Sequence, residues 1–164
     1  MTYNYKFNSG GITAWSGFLY QKSESTSSGI DITTQGVSYG VRVSYANVGL
    51  HASGFTAEGL GFLLGAGADA TLGLPLAGPN GEFDSEGYLL QASYSPGPVR
   101  LVGSYGKNEL EAAQDWENET ITGAVFYDIN QFFKVVAEYN INEISIGAAE
   151  EETETIALGA VLNF

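Results

Sequence analysis

The sequence predicts an all-β protein: an antiparallel transmembrane β-barrel of eight strands, with a ninth candidate at residues 2–8, short turns at one end and long loops at the other. Three observations predict it. Successive segments alternate apolar with small or polar residues at a period of two. Aromatic residues recur six positions apart on the apolar face of three of these segments, and the acidic residues gather at one end of the strands. A period of two belongs to a strand whose faces meet different surroundings. In a soluble sandwich the apolar face looks inward, whereas in an outer-membrane barrel it looks out into lipid.

Residues 2–8 set Tyr3, Tyr5 and Phe7 against Asn4, Lys6 and Asn8 and then meet Ser9, Gly10 and Gly11, a turn signal. Residues 11–22 place Ile12, Ala14, Phe18 and Tyr20 on one face, with Trp15 and Leu19 on the other. Residues 23–34 are polar and Gly-containing and read as a long loop. Residues 35–46 carry the cleanest alternation, Val37, Tyr39, Val41, Val43 and Tyr45 against Ser38, Gly40, Arg42 and Ser44. After a tight turn at Ala46 and Asn47 the chain returns over residues 48–58, which makes a hairpin. Residues 59–85 form the longest connector, apolar and Gly-rich.

Residues 86–95 and 98–109 make the next pair, with Tyr88, Leu90, Ala92, Tyr94, Val99, Leu101, Gly103 and Tyr105 sharing the apolar face. Their turn holds Pro96 and Pro98, neither of which must donate to the ladder. Residues 110–118 read as an acidic loop, 119–128 and 132–141 as a third hairpin, and 142–152 as a further acidic loop. The closing stretch, residues 153–164, puts Ile156, Leu158, Ala160, Leu162 and Phe164 on one face and Thr155, Ala157, Gly159, Val161 and Asn163 on the other.

Composition narrows the function. The 164 residues fit one domain over residues 1–164, or the carboxy-terminal part of a larger barrel, and 22 Gly, 10 Tyr and 9 Phe without Cys suit tightly packed strands. A net charge of -13 with only six Lys plus Arg excludes a phosphate-binding patch, and with it nucleic acid as a partner. No apolar run has the length of a transmembrane helix, but barrel strands need only about 9 to 11 residues and keep overall hydropathy low. The mean hydropathy is -0.01.

Of the nineteen acidic residues, only Asp128 and Glu138 lie away from the long connectors and the strand ends bordering them. Short periplasmic turns and long external loops are the layout of outer-membrane barrels. The aromatic pairs Tyr39 and Tyr45, Tyr88 and Tyr94, and Phe133 and Tyr139 each lie about 20 Å apart along one strand face. Tyr45, Tyr94, Tyr127 and Phe133 adjoin the short turns, and Tyr39, Tyr88, Tyr105 and Tyr139 lie toward the long loops. Two rings of aromatics around an aliphatic band match the two interfaces of a bilayer.

This pattern, with the phrases GYLLQASYS, VRLVGSYGKNEL and the closing ETIALGAVLNF, resembles the carboxy-terminal half of a Gram-negative general diffusion porin. The resemblance implies an outer-membrane location, a water-filled pore passing small hydrophilic solutes or ions by passive diffusion, a homotrimer, and contact with lipid and lipopolysaccharide. Phe164, ending the alternating last strand, resembles the signal read by the β-barrel assembly machinery. Such porins generally carry sixteen strands, about twice what this chain supplies. Either residues 2–8 belong to a wider barrel of which this chain is a part, or eight strands close a small barrel. Small inward residues such as Ser38, Gly40, Ser104, Thr120 and Gly159 favour the wider pore, because a tight eight-stranded barrel fills its interior.

Within that frame Arg42, His51, Arg100, Lys134 and Glu138 face the lumen and set the field that solutes cross. Acidic loops either hold divalent cations bridging lipopolysaccharide or keep the surface solvated. No catalytic residue is expected: His51 and Ser53 share a face, but no acid orients the imidazole and no nucleophile elbow is present. One His and no Cys give no metal constellation, and no cofactor motif occurs. The alternatives are a small closed barrel with an anchoring or envelope-interaction role and no open pore, and a soluble ligand-binding barrel of the lipocalin type. The latter requires Tyr39, Val41 and Val43 to be buried.

Overall fold

A computed structural model describes residues 1–24, 31–60, 77–78, 81–111 and 115–162. Its strands are β1 (Thr2–Phe7), β2 (Gly10–Glu24), β3 (Asp31–Tyr45), β4 (Val48–Glu58), β5 (Ala77–Gly78), β6 (Gly81–Glu82), β7 (Asp84–Tyr94), β8 (Val99–Glu111), β9 (Trp116–Asp128), β10 (Phe133–Ile146) and β11 (Ala149–Leu162). Nine of them form one antiparallel sheet in the order β1-β2-β3-β4-β7-β8-β9-β10-β11, and β5 and β6 pair separately. No helix occurs among the described residues.

The expected barrel is not closed. Among the described residues the sheet ends at β1 on one side and β11 on the other, with no strand pairing their outer edges. The strand count settles at nine, since residues 2–8 do form a strand: β1 pairs with the first part of β2, Thr2 opposite Trp15 and Phe7 opposite Gly10.

The long-loop expectation also needs correction. Connectors at the acidic end include residues 112–115 and 147–148, as short as the turns at 46–47 and 95–98 opposite. Residues 110–118 and 142–152, read from sequence as loops, are mostly strand: Asn108 faces Asn118, Leu110 faces Trp116, and Glu143 faces Glu152. A ladder is made by backbone groups, so it continues wherever the chain stays extended, whatever the polarity of the side chains. Gly147, at φ 57°, then turns the chain in the left-handed region that glycine enters without steric cost. The loop read at 23–34 is shortened in the same way at both ends, and most of the connector at 59–85 lies outside the described residues.

Register assigns the faces. Directly opposed residues share a face, and one row reads Phe7, Gly10, Tyr45, Val48, Tyr94, Leu101, Val125, Ala137 and Leu158 across all nine strands. This outer face is apolar and open: Tyr39 is 54% exposed and Leu158 82%. Tyr39 and Val41 are therefore not the buried lining that a lipocalin-type cavity requires. Ala57, Ser85, Leu110, Asn118 and Ala124, the buried side chains among the described residues, all lie on the other face, which is the inside of the curved sheet. The chain exposes 11037 Å², where a globular monomer of 17.4 kDa exposes about 7900 Å².

Candidate functional site: the two faces of the sheet

On the outer face the aromatic residues form two oblique lines. Tyr39 and Tyr88 stand in one register row, Tyr105 in the row of Val41, two residues lower, and Tyr139 in the row of Val43, four residues lower. The second line descends equally: Tyr45 and Tyr94 share a row, Tyr127 is two residues below and Phe133 four below. The lines stay parallel because each strand preserves the six-residue spacing. A descent of four residues over the five steps from β3 to β10 corresponds to strands tilted by about 30° from the perpendicular to those lines, given spacings of about 3.3 Å and 4.8 Å. Valine, leucine and alanine, with Gly103 and Gly123, fill the band between them. Tyr88 and Tyr105 pack with ring centroids 5.8 Å apart.

Beyond the upper line the same face turns acidic. Lys107 Nζ lies 2.8 Å from Glu109, 3.0 Å from Glu117 and 3.4 Å from Glu119. The hydrogen bonds it donates to Glu109 and Glu117 push its pKa up. On β10 and β11, Glu143 is opposite Glu152 and shares a hydrogen bond with Glu150, which raises its pKa. The acids that the sequence places in loops thus sit on strands, directly above the aromatic line.

The inner face carries all five lumen candidates. Arg42 is opposite His51. Arg100 is opposite Phe126 and stands 5.8 Å from its ring centroid. Lys134 is opposite Asp128, with its Nζ 3.2 Å from the carboxylate. Glu138 lies between Ala124 and Ala157. They do not form one cluster: Arg100 and Lys134 stand near the short-turn end on β8 and β10, and Arg42 and His51 on β3 and β4, nearer the opposite edge of the same face. Phe164 lies outside the described residues.

Sequence reasoning missed a second constellation on this face, toward the acidic end. One row runs Trp15, Gly40, Ser53, Leu89, Gly106, Thr120, Asn142, and the next runs Gly17, Ser38, Phe55, Gly87, Asn108, Asn118. The Trp15 indole lies over Gly40, where any β-carbon would overlap it, and meets His51 edge-on at 5.3 Å. His51 Nε2 is 3.1 Å from Ser53 Oγ. Thr120 Oγ1 donates to Asn142 Oδ1 and Asn140 Nδ2 to Thr122 Oγ1, both at 2.8 Å. The period-two run of Asn118, Thr120 and Thr122, matched by Asn140 and Asn142, was the available signal.

No carboxylate hydrogen-bonds the His51 imidazole among the described residues, so the His51 and Ser53 pair lacks the third member of a triad. No group of three or more His, Cys, Asp or Glu among the described residues is arranged to hold a metal ion. Comparison with protein-family models, with curated proteins and with solved structures finds no match to this chain.

Proposed function

We propose that the chain forms wall of an outer-membrane porin of a Gram-negative bacterium, its outer face against lipid and its inner face against a water-filled passage for small hydrophilic solutes and ions. The observation that carries this reading is the open apolar face bounded by two parallel aromatic lines about 20 Å apart along the strands. Water opposes such a face by about 25 cal/mol per Å² of apolar surface, whereas hydrocarbon does not, and the aromatic lines fall where amphipathic rings settle at the two interfaces.

Lipid also requires every strand edge to be paired. Nine successive antiparallel strands leave β1 and β11 running in the same direction. Antiparallel closure therefore takes an odd number of further strands, seven for a wall of sixteen, and the refolded chain gains them by association in the bilayer. The small inner residues suit such a wide wall, with Arg42, His51, Arg100, Lys134 and Glu138 shaping its field. Carboxylates above the upper aromatic line sit at the level of lipopolysaccharide headgroups. Assembly machinery reading the end of β11, and a homotrimer, are the partners this reading brings, and it involves no catalysis.

Liposome swelling tests it. Proteoliposomes of the refolded chain are expected to swell in isotonic solutions of small neutral sugars, faster for monosaccharides than for trisaccharides. Swelling no faster than protein-free liposomes contradicts the reading.

A further inference from the structure

We propose that the inner-face cleft between Trp15 and Asn142 is a binding site for a neutral polyhydroxylated solute of mono- to disaccharide size, so that this wall selects among the solutes it passes. The inference rests on the pore reading for the solute being in transit, but the site itself is argued from the cleft alone. The cleft has a volume of about 470 Å³, within the range of small-molecule sites.

Three features define its ligand. The first is charge: no Asp, Glu, Lys or Arg lines the cleft, in a chain of net charge -13. Strands β8 to β10 send Glu109, Glu117 and Glu143 to the outer face, while their neighbours Asn108, Asn118 and Asn142 face the cleft. The wall is acidic outside and amide-lined here, so the site favours hydrogen-bonding groups without charge. The second is shape. Gly40 and Gly87 lack the β-carbons that would overlap Trp15, and Phe55 with Asn108, respectively, so these side chains lie against the sheet. Flat aromatic surfaces beside amides suit a pyranose, which has apolar C–H faces and a hydroxyl rim.

The third feature is an unmet hydrogen bond. Asn118 is 4% exposed and lines the cleft, yet its Oδ1 has no hydrogen-bond partner. Buried polar atoms are nearly always paired, and an orphan one asks for a donor. A hydroxyl entering the cleft supplies it. Thr120 Oγ1 already engages the Oδ1 of Asn142, which leaves the Nδ2 of that amide to donate to a ligand oxygen. Acceptor and donor on neighbouring strands match a hydroxylated ring, which offers both.

Trp15 gives the readout. In the full chain carrying Trp116→Phe, Trp15 is the one remaining tryptophan. Refolded in a detergent without a sugar headgroup, this protein is titrated with sucrose, gluconate and glucosamine. A saturable change in Trp15 emission is expected with sucrose, and at least tenfold weaker responses with the two charged solutes. Asn118→Ala and Thr120→Val, added separately, are expected to weaken sucrose binding roughly threefold to tenfold, the loss of a neutral hydrogen bond. Should Asn118→Ala fail to refold, Thr120→Val carries the test. No saturable sucrose response, equal responses to the charged solutes, or indifference to both variants overturns the proposal. Conductance by a chain whose Trp15 ignores sucrose overturns the site and leaves the pore, whereas saturable binding by a chain that does not conduct supports the site and removes the pore.

Discussion

Glu143 shows how one residue reports on the acidic end of the sheet. It faces Glu152 across the β10 and β11 ladder, hydrogen-bonds Glu150, and also feels Glu119 on β9. The hydrogen bond with Glu150 and that residue's charge raise the Glu143 pKa above the usual carboxylate value. A raised folded-state pKa means that the fold prefers the protonated form. The associated stability is fully present below the unfolded pKa, and is lost as pH rises through the folded pKa. Thermal unfolding in detergent should accordingly give a higher Tm at pH 5 than at pH 7. Glu143→Gln should raise the Tm at pH 7 and flatten this dependence; a variant with an unchanged pH profile would show that the pair is not coupled. At this scale the sequence was half legible. Alternation alone put Arg42, Arg100, Lys134 and Glu138 on the inner face, where register also has them. Period two says which face a residue takes and nothing of its neighbour across the ladder. Thus Asp128 beside Lys134, Phe126 beside Arg100, and the Trp15 to Asn142 cleft stayed hidden.

The strands themselves were the most legible element, and their ends the least. The hairpin of β3 and β4 was plain from Val37 to Tyr45 and from Val48 onward because every second residue was apolar. Beyond the apolar band the outer-face residues become Glu or Lys, and the hydrophobic signal stops while the backbone ladder does not. Hence β10 runs on to Ile146 and β11 begins at Ala149 inside a stretch read as loop. The orientation of β11 is testable by a pair of substitutions. Leu158, on the outer face within the aliphatic band, is 82% exposed, and Ala157 is its neighbour on the inner face. If the outer face meets lipid, Leu158→Arg should destabilise the protein refolded in bilayers by about 2–4 kcal/mol. Ala157→Arg should cost much less, since its side chain enters the aqueous side. Equal effects, measured by urea unfolding in vesicles, would remove the assignment of faces.

At the scale of the whole molecule, the sheet is a wall without a closed interior. Its inner face mixes small and hydrogen-bonded polar residues with Trp15, Phe55, Leu89, Leu110 and Phe126, its outer face is apolar between two aromatic lines, and β1 and β11 are open edges. The sequence made the two-faced sheet legible because two faces with different surroundings write a strong period-two code. Closure was not legible, because it depends on which strands meet at the edges, and edge pairing leaves little mark on side-chain pattern. The six-residue aromatic spacing was legible strand by strand, but the parallel descent of both lines emerged only with the register. That descent ties the strand tilt to a common slab about 17 Å thick. The most direct test of a lipid-facing wall around an aqueous passage is single-channel conductance of the refolded chain in a planar bilayer. Stable, stepwise, ion-conducting events are the expected result, and insertion without conductance, or no insertion at all, would contradict it.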